Sequence, residues 1–401
     1  MTTDTMDADL HPKTAEDVLA AVQWAAGEQI PMEIIGQGTK RAMGRPMQTA
    51  HTLELSGMSG VTLFEPEELV MTAKAGTPLA EIHALLAKHD QELQFEPADL
   101  GPLLGNATGQ GTLGGMVNTN FAGPRRLKAG SARDHILGIA AVSGRGEVFK
   151  SGGRVVKNVT GYDLSKGVTG AWGTLAVLTD ITMKVLPRAE TEKTVAFEGL
   201  SDADASSAMA TAMGSDCEVS SAAHMPAHGG EPARTLLRVE GFEASVAYRV
   251  EKLAKLLAVH GNADISDVDA SRKIWADLRD VAPFIGDTSL PVWRISCTPS
   301  HGHVIAAAIA NETSISCFYD WQGGLIWMQM EDGEPMADLV RGAVNTNGGG
   351  HATLIRATAE QRLATPVFHP QPGPLAALSR RYRENFDPHG VLNPGRISVE
   401  G

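Results

Sequence analysis

Hydrophobic residues in the first ninety positions alternate between helical spacing and the shorter runs typical of strands. Residues 14–27 place Val18, Val22 and Ala25 on one side of a helix. A second segment with helical spacing covers residues 79–89. Strands are predicted around these helices, at residues 32–35, 52–55, 61–65 and 69–74. The alternation predicts an α/β subdomain at the start of the chain.

Two longer apolar runs extend this first half. Residues 136–143 and 175–185 predict strands, and Gly144–Glu147 is typical of a hairpin turn after the first of them. Pro187 closes the second run. We therefore place a first domain at residues 1–187.

The middle of the chain, residues 188–374, has a different order of elements. A convincing amphipathic helix covers residues 244–259. The predicted strands around it lie at residues 234–240, 291–297, 314–320 and 324–330. This order predicts an α+β cap, a small antiparallel sheet with helices on one face. A helix at residues 374–386 then follows, and we assign residues 375–401 to a return to the first domain.

The distribution of glycine points to a ligand. Seventeen of the 43 glycines lie between Gly101 and Gly173, clustered around short apolar strands. Because glycine lets a backbone approach a ligand closely, this density predicts a chain wrapped on a large cofactor. The loop Gly36–Lys40 follows a predicted strand and can aim several N–H groups at an anion, although an ordinary tight turn is the simpler interpretation of so short a motif.

Charge and cysteine content indicate which kinds of partner and which cellular compartment to expect. The formal net charge is −13, which argues against nucleic acid or an anionic membrane as the main partner. The three cysteines form no CxxC pair, so this chain cannot build a four-cysteine iron–sulfur cluster by itself. Their small, odd number and the polar N-terminus predict a cytoplasmic protein, and no run has the length of a membrane span.

One basic cluster stands out in this acidic chain, at Arg125, Arg126, Lys128 and Arg133. It fits either a phosphate-bearing ligand or a solvated turn.

Six short motifs occur in a fixed order along the chain. They lie at Gly36–Lys40, Thr112–Gly130, Arg133–Gly138, Lys157–Leu164 (KNVTGYDL), Gly170–Leu175 (GAWGTL) and Phe386–Gly395 (FDPHGVLNPG). Together they resemble the FAD-binding domain of the vanillyl-alcohol oxidase (PCMH-type) flavoproteins. The stretch 154–187 is similar, more closely, to the smaller FAD-binding subunits of bacterial three-subunit glycolate oxidases.

The resemblance implies an α+β fold, with a two-subdomain PCMH-type FAD-binding domain and an inserted cap, and it implies FAD as cofactor. The first loop lacks histidine and cysteine, so the FAD is expected to be noncovalent. The implied cofactor-binding residues are Gly36, Gln37, Gly38, Thr39, Lys40, Gly111, Thr112, Gly114, Gly115, Asn118, Gly173, Thr174, Leu175, Val177 and Asn393. A turn before Pro394 is the alternative role of Asn393.

Oxidation of a 2-hydroxy acid needs a cation for the carboxylate and a base for the hydroxyl group. The best candidates are His351, Arg356 and His369, although a strand-edge turn with a partly buried imidazole explains His351 equally well. Histidine and glutamate form no cluster at metal-ligand spacing, so no metal site is predicted.

The resemblance also implies a function and partners. It implies a subunit of a complex that oxidises glycolate to glyoxylate, beside a larger FAD-containing catalytic subunit and an iron–sulfur subunit, with inner-membrane association through the complex as one option. Three alternatives stay open: a stand-alone FAD-dependent 2-hydroxy-acid dehydrogenase, a non-catalytic electron-relay or assembly subunit, and, more weakly, a cell-wall-type reductase.

Overall fold

The structure is a computed structural model that describes residues 9–154 and 161–398. The first half contains ten strands: β1 (Asp9–Leu10), β2 (Met32–Ile35), β3 (His51–Glu54), β4 (Val61–Glu65), β5 (Val70–Lys74), β6 (Gln91–Glu92), β7 (Ile136–Ser143), β8 (Val148–Gly152), β9 (Ala176–Lys184) and β10 (Leu186–Pro187). Its helices are α1 (Ala15–Glu28), α2 (Leu79–Ala87), α3 (Leu113–Thr119), α4 (Arg126–Ala129), α5 (Ala132–His135) and α6 (Leu164–Val168).

Two larger sheets and the two-stranded pair of β6 and β10 form the first half. Strands β1, β3 and β2 make a parallel sheet, and strands β4, β5, β9, β7 and β8 make an antiparallel sheet in that order. Helix α1 packs between them, with Val18 and Val22 against Val142 and Val177. Helices α2 and α3 cover the antiparallel sheet and share its core.

Helix α1 shows why the sequence pattern identifies this element. Its first turn is closed by a capping box, because the Thr14 hydroxyl accepts from the Asp17 N–H and the Asp17 carboxylate accepts from the Thr14 N–H. Its buried residues are Val18, Val22 and Ala25, as the spacing predicts.

The cap contains eight strands and most of the remaining helices. The strands are β11 (Thr191–Glu198), β12 (Ser221–Met225), β13 (Arg234–Gly241), β14 (Asp264–Ile265), β15 (Val292–Cys297), β16 (Ile315–Asp320), β17 (Leu325–Met330) and β18 (Gly350–Arg356). The helices are α7 (Asp202–Met213), α8 (Glu243–Leu256), α9 (Val268–Arg279), α10 (Gly302–Ala310), α11 (Ala337–Thr346) and α12 (Ala359–Ala364), and α13 (Gly373–Phe386) follows.

All eight cap strands join one antiparallel sheet, in the order β14-β11-β13-β12-β16-β17-β15-β18. The predicted antiparallel sheet with helices is confirmed, but the expectation that it is small is wrong. Strand β12 reads Ser-Ala-Ala-His-Met and β14 has two residues, so neither carries the β-branched pattern that sequence analysis depends on.

The two faces of the cap sheet have different partners. Alternate residues such as Leu237 and Ile326 pack under α7, α8, α10 and α11. Their neighbours Leu236 and Trp327 face the first half, where the core includes Leu103. The second face therefore presents its side chains toward the first half of the molecule.

The last described residues return to the first half beside β2. The Met32 N–H donates to the Val391 carbonyl, and the Asn393 N–H donates to the Met32 carbonyl. The domain boundaries at residues 187 and 374 stay a prediction. Lys157–Thr160 of the KNVTGYDL motif lie outside the described residues. Within residues 9–154 and 161–398, no helix is long and apolar enough to cross a membrane.

Candidate functional site

A cleft of about 710 Å³, counting the part open to solvent, opens where β2 ends, α3 begins and the C-terminal segment returns. We call it the flavin cleft. Eleven of the residues predicted to bind the cofactor line it: Gly36, Gln37, Gly38, Thr39, Lys40, Thr112, Gly114, Gly115, Asn118, Gly173 and Asn393.

The loop after β2 offers backbone donors to the cleft. Within the described residues, the N–H groups of Gln37–Lys40 donate to no other protein group. Gly38 has φ +75°, a left-handed conformation that glycine adopts without strain. Successive free N–H groups in such a loop form a concave anion site, which suits a pyrophosphate.

Close packing explains why the loop begins with glycine. A Cβ atom on Gly36 would lie 2.2 Å from the Thr112 hydroxyl oxygen, which is far inside contact distance. That hydroxyl is fixed because it caps α3 by accepting from the Gly115 N–H at 3.2 Å. The two motifs therefore meet across the floor of the cleft, with no room for a larger side chain.

Lys40 supplies charge to the same place. Burial lowers the pKa of its ammonium group, and attraction to Asp99 partly opposes that shift. The other lining cations, Arg41 and Arg396, both lie near the Glu33 carboxylate. The cleft thus combines unpaired donors and a desolvated cation, which is the donor set that the phosphate groups of FAD require.

Two asparagines brace the opposite rim of the cleft. Asn118 Oδ1 accepts from the Gly173 N–H at 3.1 Å. Asn393 Oδ1 accepts from the Ile34 N–H at 2.7 Å, and its Nδ2 donates to the Trp172 carbonyl at 2.8 Å. Both side chains therefore hold the Trp172–Gly173 turn against β2 and α3.

Four predicted cofactor-binding residues do not line the cleft. The Gly111 carbonyl accepts from the Leu79 N–H. The buried Thr174 hydroxyl donates to the Ala171 carbonyl. Leu175 and Val177 are buried, and Val177 belongs to the core around α1. These residues support the turn and strand behind the cleft.

Aromatic rings connect the cleft to the cap. Trp172 lines the cleft, and its ring packs edge-on against Phe121 at 6.0 Å and Phe368 at 5.1 Å between centroids. The Arg294 guanidinium lies 5.4 Å from the Phe121 ring centroid. The face of the cap sheet that carries Arg294 is thus one aromatic layer from the cleft.

Sequence analysis missed Arg294. Its guanidinium also lies 4.9 Å from the Trp321 ring centroid, and that of Arg126 lies 4.5 Å from the same ring. In the described part of the chain, neither arginine forms an ion pair with a carboxylate. Burial, with a further contribution from Arg126, lowers the pKa of Arg294 to about 10.

His351 lies on the same face as Arg294. It pairs with Ser296 between the edge strand β18 and its neighbour β15, and Arg294 is two residues before Ser296. Burial lowers the pKa of His351, and the positive charges of Arg294, His369 and Arg126 lower it further. The imidazole is therefore neutral at pH 7 and able to accept a proton.

His369 is near His351 but is suited to a different role. Its Nδ1 accepts from the Ala352 N–H at 3.2 Å, so the neutral ring carries its proton on Nε2. Burial lowers its pKa as well. We call Arg126, Arg294, His351 and His369 the cationic wall.

Arg356, the predicted substrate cation, is not in this wall. It is buried and donates to the carbonyl oxygens of Leu290, Leu103 and Phe284 and to the Gln329 side chain. With its donors directed at these acceptors, the guanidinium joins the cap to the first half and has a structural role.

The residues of the predicted basic cluster also lie in different surroundings. Arg125 is nearly buried and pairs with Glu240 of the cap at 2.5 Å and with Glu92 at 2.9 Å. Arg238 of the cap donates to both oxygens of Glu96 at 2.8 and 2.9 Å. Arg125 is thus neither a phosphate ligand nor a solvated residue, because it belongs to an ion network between the two halves.

Comparison with known proteins agrees with the geometry of the cleft. A family model described as an FAD binding domain matches residues 6–152. Glycolate oxidase subunit GlcE of Escherichia coli (strain K12) is 34% identical over 389 residues, which cover 96% of this chain and 98% of that protein. The chain belongs to the FAD-linked oxidoreductase family that contains subunit GlcE. Its cofactor is FAD.

Other members and neighbours of this FAD-linked oxidoreductase family extend the comparison. Glycolate oxidase subunit GlcD of Bacillus subtilis (strain 168) is 29% identical over 191 residues, or 47% of this chain and 39% of that protein. The structure of p-cresol methylhydroxylase with substrate bound has a TM-score of 0.71 at 14% identity and covers 98% of this chain and 89% of its own. The second likeness shows the fold alone and confirms the predicted PCMH-type architecture.

Proposed function

We propose that this chain is the FAD-binding subunit of a complex that oxidises glycolate, or a similarly short 2-hydroxy acid, to the 2-oxo acid. The observation that carries the proposal is the cationic wall beside the flavin cleft, where two guanidinium groups have no carboxylate partner among the described residues. The identity to subunit GlcE over almost the whole chain supports the choice of glycolate.

The residues of the wall divide the work of substrate binding. Arg294 and Arg126 hold the carboxylate, because guanidinium groups bind carboxylates through paired N–H donors. Neutral His351 accepts the hydroxyl proton, and His369 donates from Nε2 to the substrate oxygen. FAD, when bound, supplies the two-electron acceptor.

We further propose that the FAD is noncovalent and that the chain works in a multi-subunit complex in the cytoplasm. The described residues that line the flavin cleft include neither histidine nor cysteine, which supports noncovalent binding. A larger FAD-containing subunit and an iron–sulfur subunit are the proposed partners, and the names of the two glycolate oxidase subunits above support a complex. Electrons would leave this chain for the iron–sulfur partner.

The test is an anaerobic absorbance titration of the FAD-loaded chain with glycolate. We expect glycolate to reduce the flavin of the wild-type protein. Arg294→Met should raise the half-saturating glycolate concentration by about 10- to 100-fold, since a hydrogen bond to a charged group contributes about 1.5–3 kcal/mol. Arg272→Met, an exposed substitution on α9, is the matched control and should behave as wild type.

The electron-relay alternative predicts a different result. A fully loaded flavin that stays oxidised with glycolate and with other short 2-hydroxy acids would contradict catalysis by this chain. The same titration on the co-expressed complex would then locate the oxidation in a partner subunit.

A further inference from the structure

Trp321 lies under both guanidinium groups of the cationic wall. We propose that Trp321 is a positioning residue that keeps Arg126 and Arg294 side by side, so that the two arginines together bind one small carboxylate or short dicarboxylate. This inference rests on the proposed function, because it concerns the same substrate site. Trp321 itself touches the arginines rather than the substrate.

The backbone at Trp321 is held in an unusual conformation. Trp321 and Gln322 have φ angles of 51° and 63°, which are left-handed values that non-glycine residues adopt rarely. Backbone strain of this kind persists where neighbouring contacts hold the residue in place, and it is common at functional sites. The turn between β16 and β17 therefore fixes the backbone that carries the Trp321 ring.

One hydrogen bond holds the Trp321 backbone and a second holds its indole ring. The Asp320 carboxylate accepts from the Trp321 N–H at 2.7 Å, and indole Nε1 donates to the Gly123 carbonyl at 3.0 Å. The second bond crosses from the cap to the first half. Trp321 is only 4% exposed, so its ring has a single available orientation.

The chemistry of the contact leaves the arginines able to bind a ligand. A carboxylate partner would occupy the N–H donors of a guanidinium group, whereas an aromatic ring attracts the charge through its face. The ring therefore stabilises two like charges near each other and leaves their N–H edges free. Arg126 comes from the first half and Arg294 from the cap, so the pair exists only while the halves are docked.

Neighbouring contacts keep Arg126 in reach of the ring. The Arg125 N–H donates to Glu96 at 2.8 Å, and the Arg125 side chain pairs with Glu240 of the cap. The Gly123 N–H donates to the Phe95 carbonyl. The segment from Gly123 to Arg126 is thus anchored on both sides of the Trp321 hydrogen bond.

Two adjacent cations favour a dianion, so oxalate is the probe of choice. The experiment titrates the FAD-loaded chain with oxalate and follows the flavin absorbance change. Trp321→Leu, which removes the ring, should raise the oxalate Kd about 10-fold. Trp321→Phe, which keeps a ring but loses the N–H donor, should raise it about 3-fold. Trp24→Phe, in α1 of the first half, is the matched control and should leave the Kd unchanged.

A double-mutant cycle separates positioning from general stability. In an Arg126→Met background, which leaves only Arg294 to bind the carboxylate, Trp321→Leu should raise the oxalate Kd by clearly less than it does in the protein with both arginines, even where it lowers the melting temperature. If Trp321→Leu impairs folding, the Trp321→Phe variant in the same background decides the question. An equal Kd increase with and without Arg126 would overturn the positioning role.

The outcomes distinguish this inference from the proposed function. A wild-type protein that binds no oxalate would contradict the substrate site itself. A wild-type protein that binds oxalate, together with Trp321 variants that bind it equally tightly, would overturn only the role of Trp321.

Discussion

The flavin cleft and the cationic wall are separated by one aromatic layer and are built from different parts of the chain. The cleft is built mainly of backbone, with free N–H groups at Gln37–Lys40 and no room for a Cβ at Gly36. The wall is built of long side chains from α4, from strands β15 and β18 of the cap and from the segment before α13. Backbone sites depend on short contiguous motifs, whereas side-chain sites depend on the tertiary fold.

This difference explains what each region can bind. A backbone cradle recognises a group common to many reactions, here the pyrophosphate of a cofactor. Side chains on a separate domain can change without disturbing that cradle, so they are suited to substrate choice. The substitutions below test whether the two regions are independent in this way.

The largest expected effect comes from adding a side chain at Gly36, in the floor of the flavin cleft. Gly36→Val should abolish FAD retention, because the Cβ would lie 2.2 Å from the Thr112 hydroxyl and the floor could not close. The measurement is the flavin-to-protein ratio after gel filtration, with circular dichroism to check folding.

Gly27→Ala is the control for that experiment. Gly27 lies in α1, where an added Cβ meets nothing within 4 Å, so the variant should keep its FAD. A Gly36→Val protein that retains a normal flavin ratio would mean that the cofactor is held elsewhere.

The cleft could be predicted from the sequence because its signals are local. Glycine spacing and the resemblance located eleven lining residues, and they also named four residues that support the cleft from behind. Thr174 and Leu175 belong to the same motif as Gly173 and Val177 follows it, but their side chains are buried in the scaffold. A motif indicates that a segment is near the cofactor and does not say which side chains reach it.

The wall could be predicted only in part. Arg356 and Arg294 both lie in apolar strands of the cap sheet, and one is buried against carbonyl groups while the other stacks on aromatic rings. The order of strands in the sheet decides whether an arginine meets carbonyl groups or aromatic rings. That order of eight strands is not visible in the sequence. A charged residue two positions after Val292, on the face toward the first half, was the available signal for Arg294.

The second largest effect should appear at the ion network that docks the two halves. Glu96, held by Arg238 and Arg125, has a pKa lowered to about 2 against burial, which by itself raises it. The folded pKa lies below the ordinary value of 4.5, so the stabilisation is present above pH 4.5 and is lost as the pH falls toward 2. The shift corresponds to about 3 kcal/mol.

Glu96→Gln should therefore lower the free energy of unfolding at pH 7 by about 3 kcal/mol, and by much less at pH 3. Urea denaturation at both pH values measures this. Glu67→Gln, at an exposed position, should have little effect at either pH. If Glu96→Gln lowers the free energy of unfolding as much at pH 3 as at pH 7, the network stabilises the protein through packing alone.

A smaller effect should follow from removing the Asn393 side chain, which braces the rim of the flavin cleft. Asn393→Ala removes the bonds to the Ile34 N–H and the Trp172 carbonyl and places alanine at φ 45°. Unpaired buried groups cost about 1–3 kcal/mol, and the left-handed backbone adds about 1 kcal/mol. Chemical denaturation and FAD titration should show lower stability and weaker FAD binding.

Asn393→Gly separates the two causes. Glycine accepts the left-handed backbone, so this variant should recover about 1 kcal/mol of the loss while the hydrogen bonds stay absent. Equal stabilities for the alanine and glycine variants would mean that the backbone angle contributes nothing. Asn311→Ala, at the exposed end of α10, is the matched control.

The smallest expected effect is a change in the pKa of His351, which tests the electrostatic interaction between residues of the cationic wall. His351 has a pKa below 6.5 because of burial, Arg294, His369 and Arg126, so its proton is lost below neutral pH. Removing one positive neighbour makes the protonated form less unfavourable. Arg294→Met should thus raise the pKa of His351. Proton NMR titration of the imidazole measures this shift, with His351→Asn to assign the resonance and Arg272→Met as control. An unchanged His351 pKa in Arg294→Met would mean that the two side chains do not share one site, and the wall would then reduce to the arginine–tryptophan contact alone.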